Sequence, residues 1–159
     1  MYDFDDTLVT SNRTSTSYSV LGKNVLPKLR LISKSSRLYI VSNESLSKYK
    51  SADKMKNAVH SKSFKICAFL EELGVDNVKV LLALGKDSCR KGVGRGCFDI
   101  ITDDALSEGW KVDANNSFFV GDADGGGSFA GDADLRFAKD AGVKFFNAKK
   151  VRVEEPRVK

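Results

Sequence analysis

Met1-Tyr-Asp-Phe-Asp-Asp-Thr-Leu-Val-Thr10 opens the chain and sets Asp3 and Asp5 on alternate residues. Alternate residues of a strand point to the same side, so a strand ending here turns both carboxylates toward one substrate. The turn that follows frees backbone N–H groups, which suit an anion. Paired acids are also common surface decoration. Their meaning depends on what the rest of the chain places in register with them.

Working outward, Thr10 to Tyr18 is Ser/Thr-rich and reads as a loop. A short helix follows, with Asn24 as its cap, Pro27 in its first turn and Leu26, Leu29 and Ile32 on one face. Arg37 to Val41 reads as a buried strand ending at Ser42-Asn43. Ala52 to Leu73 reads as a helix interrupted near His60, with Phe64, Ile66, Cys67, Ala68 and Leu70 as its apolar stripe and Gly74 as its stop. Val78 to Leu84 is a third strand, Gly85 to Gly96 a basic, glycine-rich loop, and Cys97 to Leu106 a short helix. A fourth strand, Ser117 to Val120, closes at Gly121-Asp122. A helix over 134–140 and a fifth strand over 143–146 complete the alternation. This pattern predicts an α/β fold: a doubly wound, mostly parallel sheet with helices on both faces and no large cap domain. The domain is expected to span 1–148, with 149–159 as a tail forming an edge strand or disordered.

The 159 residues suffice for one ordinary domain with a real core. Hydrophobic residues make up 42% and charged residues 30%, which excludes disorder throughout. The three cysteines, Cys67, Cys89 and Cys97, lie in no Cys-x-x-Cys spacing, so neither a disulfide framework nor a structural zinc is expected. A reducing intracellular compartment fits. No apolar run reaches membrane-spanning length, and no membrane partner is expected. The net charge is +5, with basic residues gathered at Lys48, Lys50, Lys54, Lys56, Lys62 and Lys65, then at Lys86, Arg90, Lys91 and Arg95. Such clusters are either solvated faces or a surface for a polyanion. Lys48-Tyr49-Lys50 offers stacking and charge to a nucleic acid strand, or Tyr49 simply packs on the domain. His60, the single histidine, reads as a surface residue.

Ligands of parallel α/β sheets bind beyond the carboxyl ends of the strands. Asp3 and Asp5 follow the first strand, Ser42 the second, Lys91 the loop after the third and Asp122 the fourth. This set suits phosphoryl transfer, where a protein mainly positions groups and neutralises charge. A carboxylate and a phosphate repel one another, and Mg²⁺ held by Asp3 and Asp122 removes that obstacle. Lys91 holds attacking carboxylate and phosphate together, Ser42 donates to a phosphate oxygen, and Asp5 exchanges protons with the leaving oxygen and water.

The ordered set Asp3-x-Asp5-x-Thr7, Ser42-Asn43, Lys91 and Gly121-Asp122 resembles the haloacid dehalogenase (HAD) superfamily of phosphatases across nearly the whole chain. Arg90-Lys91, Gly96-Cys-Phe-Asp99, Phe119-Val-Gly-Asp-Ala123 and Asp132-Ala-Asp-Leu-Arg-Phe-Ala138 resemble its polynucleotide kinase 3′-phosphatase branch. The resemblance implies removal of 3′-phosphates from DNA ends in strand-break repair. It further implies Asp3 as nucleophile, Asp5 as general acid/base, and Mg²⁺ on Asp3, the Asp5 carbonyl and Asp122. Thr7, Asn43 and Arg90 are expected to contact substrate. A further acid of the metal region is matched by Asp132 or Asp134. The implied partners are DNA ends bearing a 3′-phosphate, the expected state is a monomer, and the implied compartment is the nucleus, with the mitochondrion as alternative.

Three departures stand out. Asp6 occupies a place where the family usually has glycine, and Gly92 one where this branch usually has proline. Gly125-Gly-Gly-Ser128 reads as an engineered linker where the branch carries a longer basic loop. Only Met1 and Tyr2 precede Asp3, which suggests an upstream segment outside this sequence. Alternative readings are a capless phosphatase of small phosphate esters, a non-catalytic nucleic-acid-binding scaffold, and a phospho-accepting receiver module.

Overall fold

The computed structural model describes residues 1–10, 12, 15–126 and 131–153. In chain order it contains β1 (Val9–Thr10), β2 (Ser19–Val20), α1 (Val25–Ser33), β3 (Leu38–Asn43), α2 (Ala52–Leu73), β4 (Val78–Ala83), α3 (Gly96–Ser107), β5 (Phe118–Gly121), α4 (Ala133–Ala141), β6 (Lys144–Asn147) and α5 (Ala148–Val153). Strands β3 and β4 pair in parallel, as do β5 and β6, while β1 and β2 form a small antiparallel pair. The expected α/β class stands, built from short parallel pairs rather than from long strands.

Met1–Asp3 joins the two parallel pairs. Tyr2 N–H donates to the Tyr39 carbonyl and Val41 N–H donates to the Tyr2 carbonyl, each at 2.8 Å. On the other side, Asp3 N–H donates to the Val120 carbonyl at 2.9 Å and Val120 N–H to the Met1 carbonyl at 3.0 Å. Asp3 therefore leaves the middle of the strand array.

Alternation along β3 separates two apolar cores. Leu38 and Ile40 pack with Phe4, Leu8, Leu29 of α1 and Ile66, Phe69 and Leu73 of α2. Tyr39 and Val41 pack with Phe98 and Ile101 of α3, Phe119 of β5 and Phe137 and Ala141 of α4. A strand whose successive side chains all find apolar neighbours is buried on both sides, which is why 38–41 reads as a continuous apolar run. Each buried phenylalanine contributes about 1.5–3 kcal/mol.

Several sequence expectations are corrected. α2 runs unbroken through His60, which is exposed, because Ser51 Oγ accepts the Lys54 N–H at 3.3 Å and Gly74, at φ +64°, ends the helix. Its buried face is Ala58, Ser61, Lys62, Lys65, Ile66, Phe69 and Leu73, whereas Phe64 and Cys67 are exposed. Lys62 and Lys65, counted in a basic cluster read as a solvated face or a polyanion surface, are buried, as is Lys91, which the sequence assigns to the site. Asn24 is at the α1 N-cap but makes no side-chain cap hydrogen bond. The start of the tail, 149–153, is helical, while 154–159 lies outside the described residues. The proposed linker falls partly outside them as well, at 127–128. No helix among the described residues is long and apolar enough to cross a membrane.

Candidate functional site

Side chains converge where strands give way to loops. Asp3 leaves the central segment, Ser42 and Asn43 close β3, Lys91 lies between β4 and α3, Asp122 follows β5, and Asp134 sits in the first turn of α4. Lys91 joins them. Its Nζ donates to Asp3 Oδ1 at 2.5 Å and to Asp134 Oδ1 at 2.6 Å, and lies 5.3 Å from the centroid of the Phe119 ring. Asn43 fixes the loop that carries it: Lys91 N–H donates to Asn43 Oδ1 at 3.0 Å, and Asn43 Nδ2 donates back to the Lys91 carbonyl at 3.4 Å. Burial alone would lower the lysine's pKa, but Asp3 and Asp134 outweigh it and raise the value.

Asp3, Asp122 and Asp134 each offer a carboxylate oxygen within 4.8 Å of the others. Three carboxylates thus share one ammonium, which leaves excess negative charge when all are ionised. Burial, reinforced by Asp134 and Asp122, pushes Asp3 up to about 7 despite Lys91. Burial also raises Asp122, with Asp134 and Asp6 adding repulsion. An all-oxygen, electron-rich cluster of this kind fits a hard divalent cation. Asp134 has both oxygens engaged, the second by Ala123 N–H at 3.0 Å. Asp132 stays outside the cluster, its side chain 53% exposed and 3.8 Å from Arg136. Between the two acids left open by the sequence, geometry brings in Asp134.

The first loop is anchored from within. Thr7 is buried and its hydroxyl donates to Asp3 Oδ2 at 3.3 Å. Asp6 adopts φ +56°, the left-handed backbone for which glycine is favoured and which aspartate tolerates better than most residues. Gly92 adopts φ +80°, and a Cβ there would meet Ala133 Cα at 3.0 Å. Proline, held near −65°, cannot occupy that backbone, so the glycine departure is a local change of loop path.

The Asp5 carboxylate pairs with a second lysine. Lys62 Nζ, from α2, pairs with Asp5 Oδ2, donates to Ser42 Oγ at 3.3 Å and lies 3.7 Å from Glu44 Oε2. Glu44 is buried, and burial alone would raise its pKa, but Lys48, Lys62 and the Tyr49 hydroxyl hold it below the usual carboxylate range. Tyr49 OH donates to Glu44 Oε1 at 3.1 Å, so this tyrosine docks on the domain. Sequence reasoning missed Lys62 and Glu44. The available signal was spacing: Lys62 falls on one helical face with Ala58, Phe69 and Leu73. Arg90 lies beside the site with its Nη1 buried and without a hydrogen-bond partner among the described residues.

Fold and site together define a class: α/β proteins whose acids and a buried lysine meet beyond the carboxyl ends of parallel strands. The family model described as polynucleotide kinase 3 phosphatase matches residues 1–151, and the chain belongs to that family. It is also similar to polynucleotide 3′-phosphatase ZDP of Arabidopsis thaliana, with 29% identity over an alignment covering 91% of this chain. The match spans 22% of that relative's length.

Proposed function

We propose that this chain is a Mg²⁺-dependent phosphomonoesterase that removes 3′-phosphates from DNA ends, and so serves strand-break repair in the nucleus or mitochondrion. The observation that carries the proposal is the Asp3–Asp122–Asp134 cluster closed by Lys91 at the strand ends, in a chain of this family. The relative's name supplies the substrate class. On this reading the parallel pairs and the central segment form a doubly wound HAD-like sheet. Helices α1 to α4 all contribute to the two apolar cores, so none of them serves as a lid, and an open site on a monomer suits a polymer end as substrate.

In the proposed reaction, an Asp3 carboxylate oxygen attacks phosphorus and the bond from phosphorus to the 3′ oxygen breaks. Asp5, protonated, gives its proton to that leaving oxygen. Water then attacks the phospho-Asp3, losing its proton to the Asp5 carboxylate, and free phosphate and the Asp3 carboxylate are released. Lys91 and the Ser42 hydroxyl neutralise and orient the phosphoryl oxygens. Asp3, Asp122 and the Asp5 carbonyl would hold Mg²⁺, which supplies Lewis-acid stabilisation of the phosphoryl charge. Thr7 and Asn43 act by fixing Asp3 and Lys91, and Arg90, next to Lys91 in the chain, adds positive charge for the phosphate.

The test compares phosphate release from a 3′-phosphorylated oligonucleotide and from a sugar phosphate, with and without Mg²⁺. Release from the oligonucleotide, dependent on Mg²⁺, is expected. Preference for the sugar phosphate would move the assignment to small esters, and no release from either would favour a scaffold.

A further inference from the structure

Lys62 is 5% exposed, while the Asp5 side chain it pairs with keeps 40% of its surface open. A buried ammonium is stable only when its donors are satisfied, and here they reach three groups on two different loops. Asp5 belongs to the first loop, and Ser42 and Glu44 to the end of β3. Lys62 takes Asp5 Oδ2, and Oδ1 has no partner among the described residues. The carboxyl is therefore no longer symmetric: Oδ2 is tied to the ammonium and Oδ1 is the oxygen left open.

We propose that Lys62 is a positioning residue that locks the Asp5 carboxyl and the Ser42 hydroxyl into one unit, presetting the direction of proton delivery to the leaving oxygen. This inference rests on the acid/base assignment of Asp5 above. The covalent step is unchanged: as the bond from phosphorus to the leaving oxygen breaks, the Asp5 proton passes to that oxygen and its bonding electrons stay on Asp5. Lys62 transfers nothing. It removes the rotation that would otherwise point the proton away, an orientational contribution of the kind that raises rate without adding substrate contact.

The distinguishing readout is leaving-group dependence. An alkoxide such as a sugar 3′ oxygen needs a proton as it departs, whereas p-nitrophenolate departs without one. kcat/KM is measured on a 3′-phosphorylated oligonucleotide and on p-nitrophenyl phosphate for the native chain, Asp5→Asn, Lys62→Met and Lys62→Ala, with folding checked by circular dichroism. Asp5→Asn calibrates the assay, because an equal loss on both substrates overturns the acid assignment itself. With that variant selective, Lys62→Met is expected to lower the ratio of oligonucleotide to p-nitrophenyl rates by about 10-fold, a part of the roughly 100-fold or more that general acid catalysis contributes. Equal loss on both substrates would reduce Lys62 to a structural ion pair and overturn the proposal. Should Lys62→Met not fold, Lys62→Ala, which leaves room for water, decides between the same two outcomes.

Discussion

At Gly121 a Cβ would stand 2.4 Å from Asp134 Oδ2 and 2.6 Å from Asp134 Cβ, closer than any real contact. The glycine of the Gly121-Asp122 pair thus exists to let the Asp134 carboxylate reach Lys91. Gly121→Ala is expected to cost about 1–3 kcal/mol by overpacking. It should also lower turnover by up to about 100-fold through displacement of Asp134 and Lys91, measured by denaturant titration and phosphate release. Asp6 predicts the opposite behaviour. Its left-handed backbone costs an L-residue about 1 kcal/mol, so Asp6→Gly should retain turnover and fold at least as stably. A large loss of activity in Asp6→Gly would mean that its carboxylate, and not its backbone, matters. Asp3→Asn is expected to abolish turnover while leaving the cation-free fold as stable as before or more so, because it removes one of three mutually repelling buried acids. Thermal unfolding beside the activity assay separates the two effects.

Among the elements, α2 carries the most structural information. Its cap and core residues make definite stability predictions: Ser51→Ala should cost about 1 kcal/mol by removing the acceptor for the Lys54 N–H, and Phe69→Ala about 3–5 kcal/mol by opening a cavity beneath the β3 face. Chemical denaturation reads both, and equal costs would contradict the assigned burial. The same helix shows where the sequence was legible and where it was not. Its bounds, Ala52 and Leu73, and its stop at Gly74 were read as the structure has them. Its face was misjudged because Lys62 and Lys65 sit at core-facing positions, so hydrophobicity pointed instead to Phe64 and Cys67, which face solvent. Strand β3 was readable for the converse reason, since Leu38 to Val41 are all apolar and buried. Asp3, Ser42, Lys91 and Asp122 could be found because they follow strand ends. The choice of Asp134 over Asp132 could not, because both occupy the same short turn and only the clearance at Gly121 separates them.

For the whole molecule, the concentration of buried acid at the strand ends links stability to pH and, on the proposed function, to divalent cations. The Asp3 carboxyl has an ordinary value of 3.8 and stands near 7 when folded. Because its folded pKa is raised, its contribution is complete below the ordinary value and is lost as pH rises through about 7. Burial shifts Asp122 in the same direction. A cation held among these acids offsets their repulsion, and a ligand that binds only the folded state stabilises it by mass action. Mg²⁺ should therefore raise the melting temperature more above pH 7 than below pH 4. Each kcal/mol would move the transition by about 2–4 °C in a domain of this size. A shift that does not depend on pH would separate cation binding from this cluster.

The most direct measurement of the central claim is acid-quenched mass spectrometry of the chain during turnover of a 3′-phosphorylated oligonucleotide with Mg²⁺. A phosphoryl adduct is expected on the peptide containing Asp3, absent in Asp3→Asn, which releases no phosphate. Steady phosphate release by Asp3→Asn, or an adduct on another residue, would contradict it.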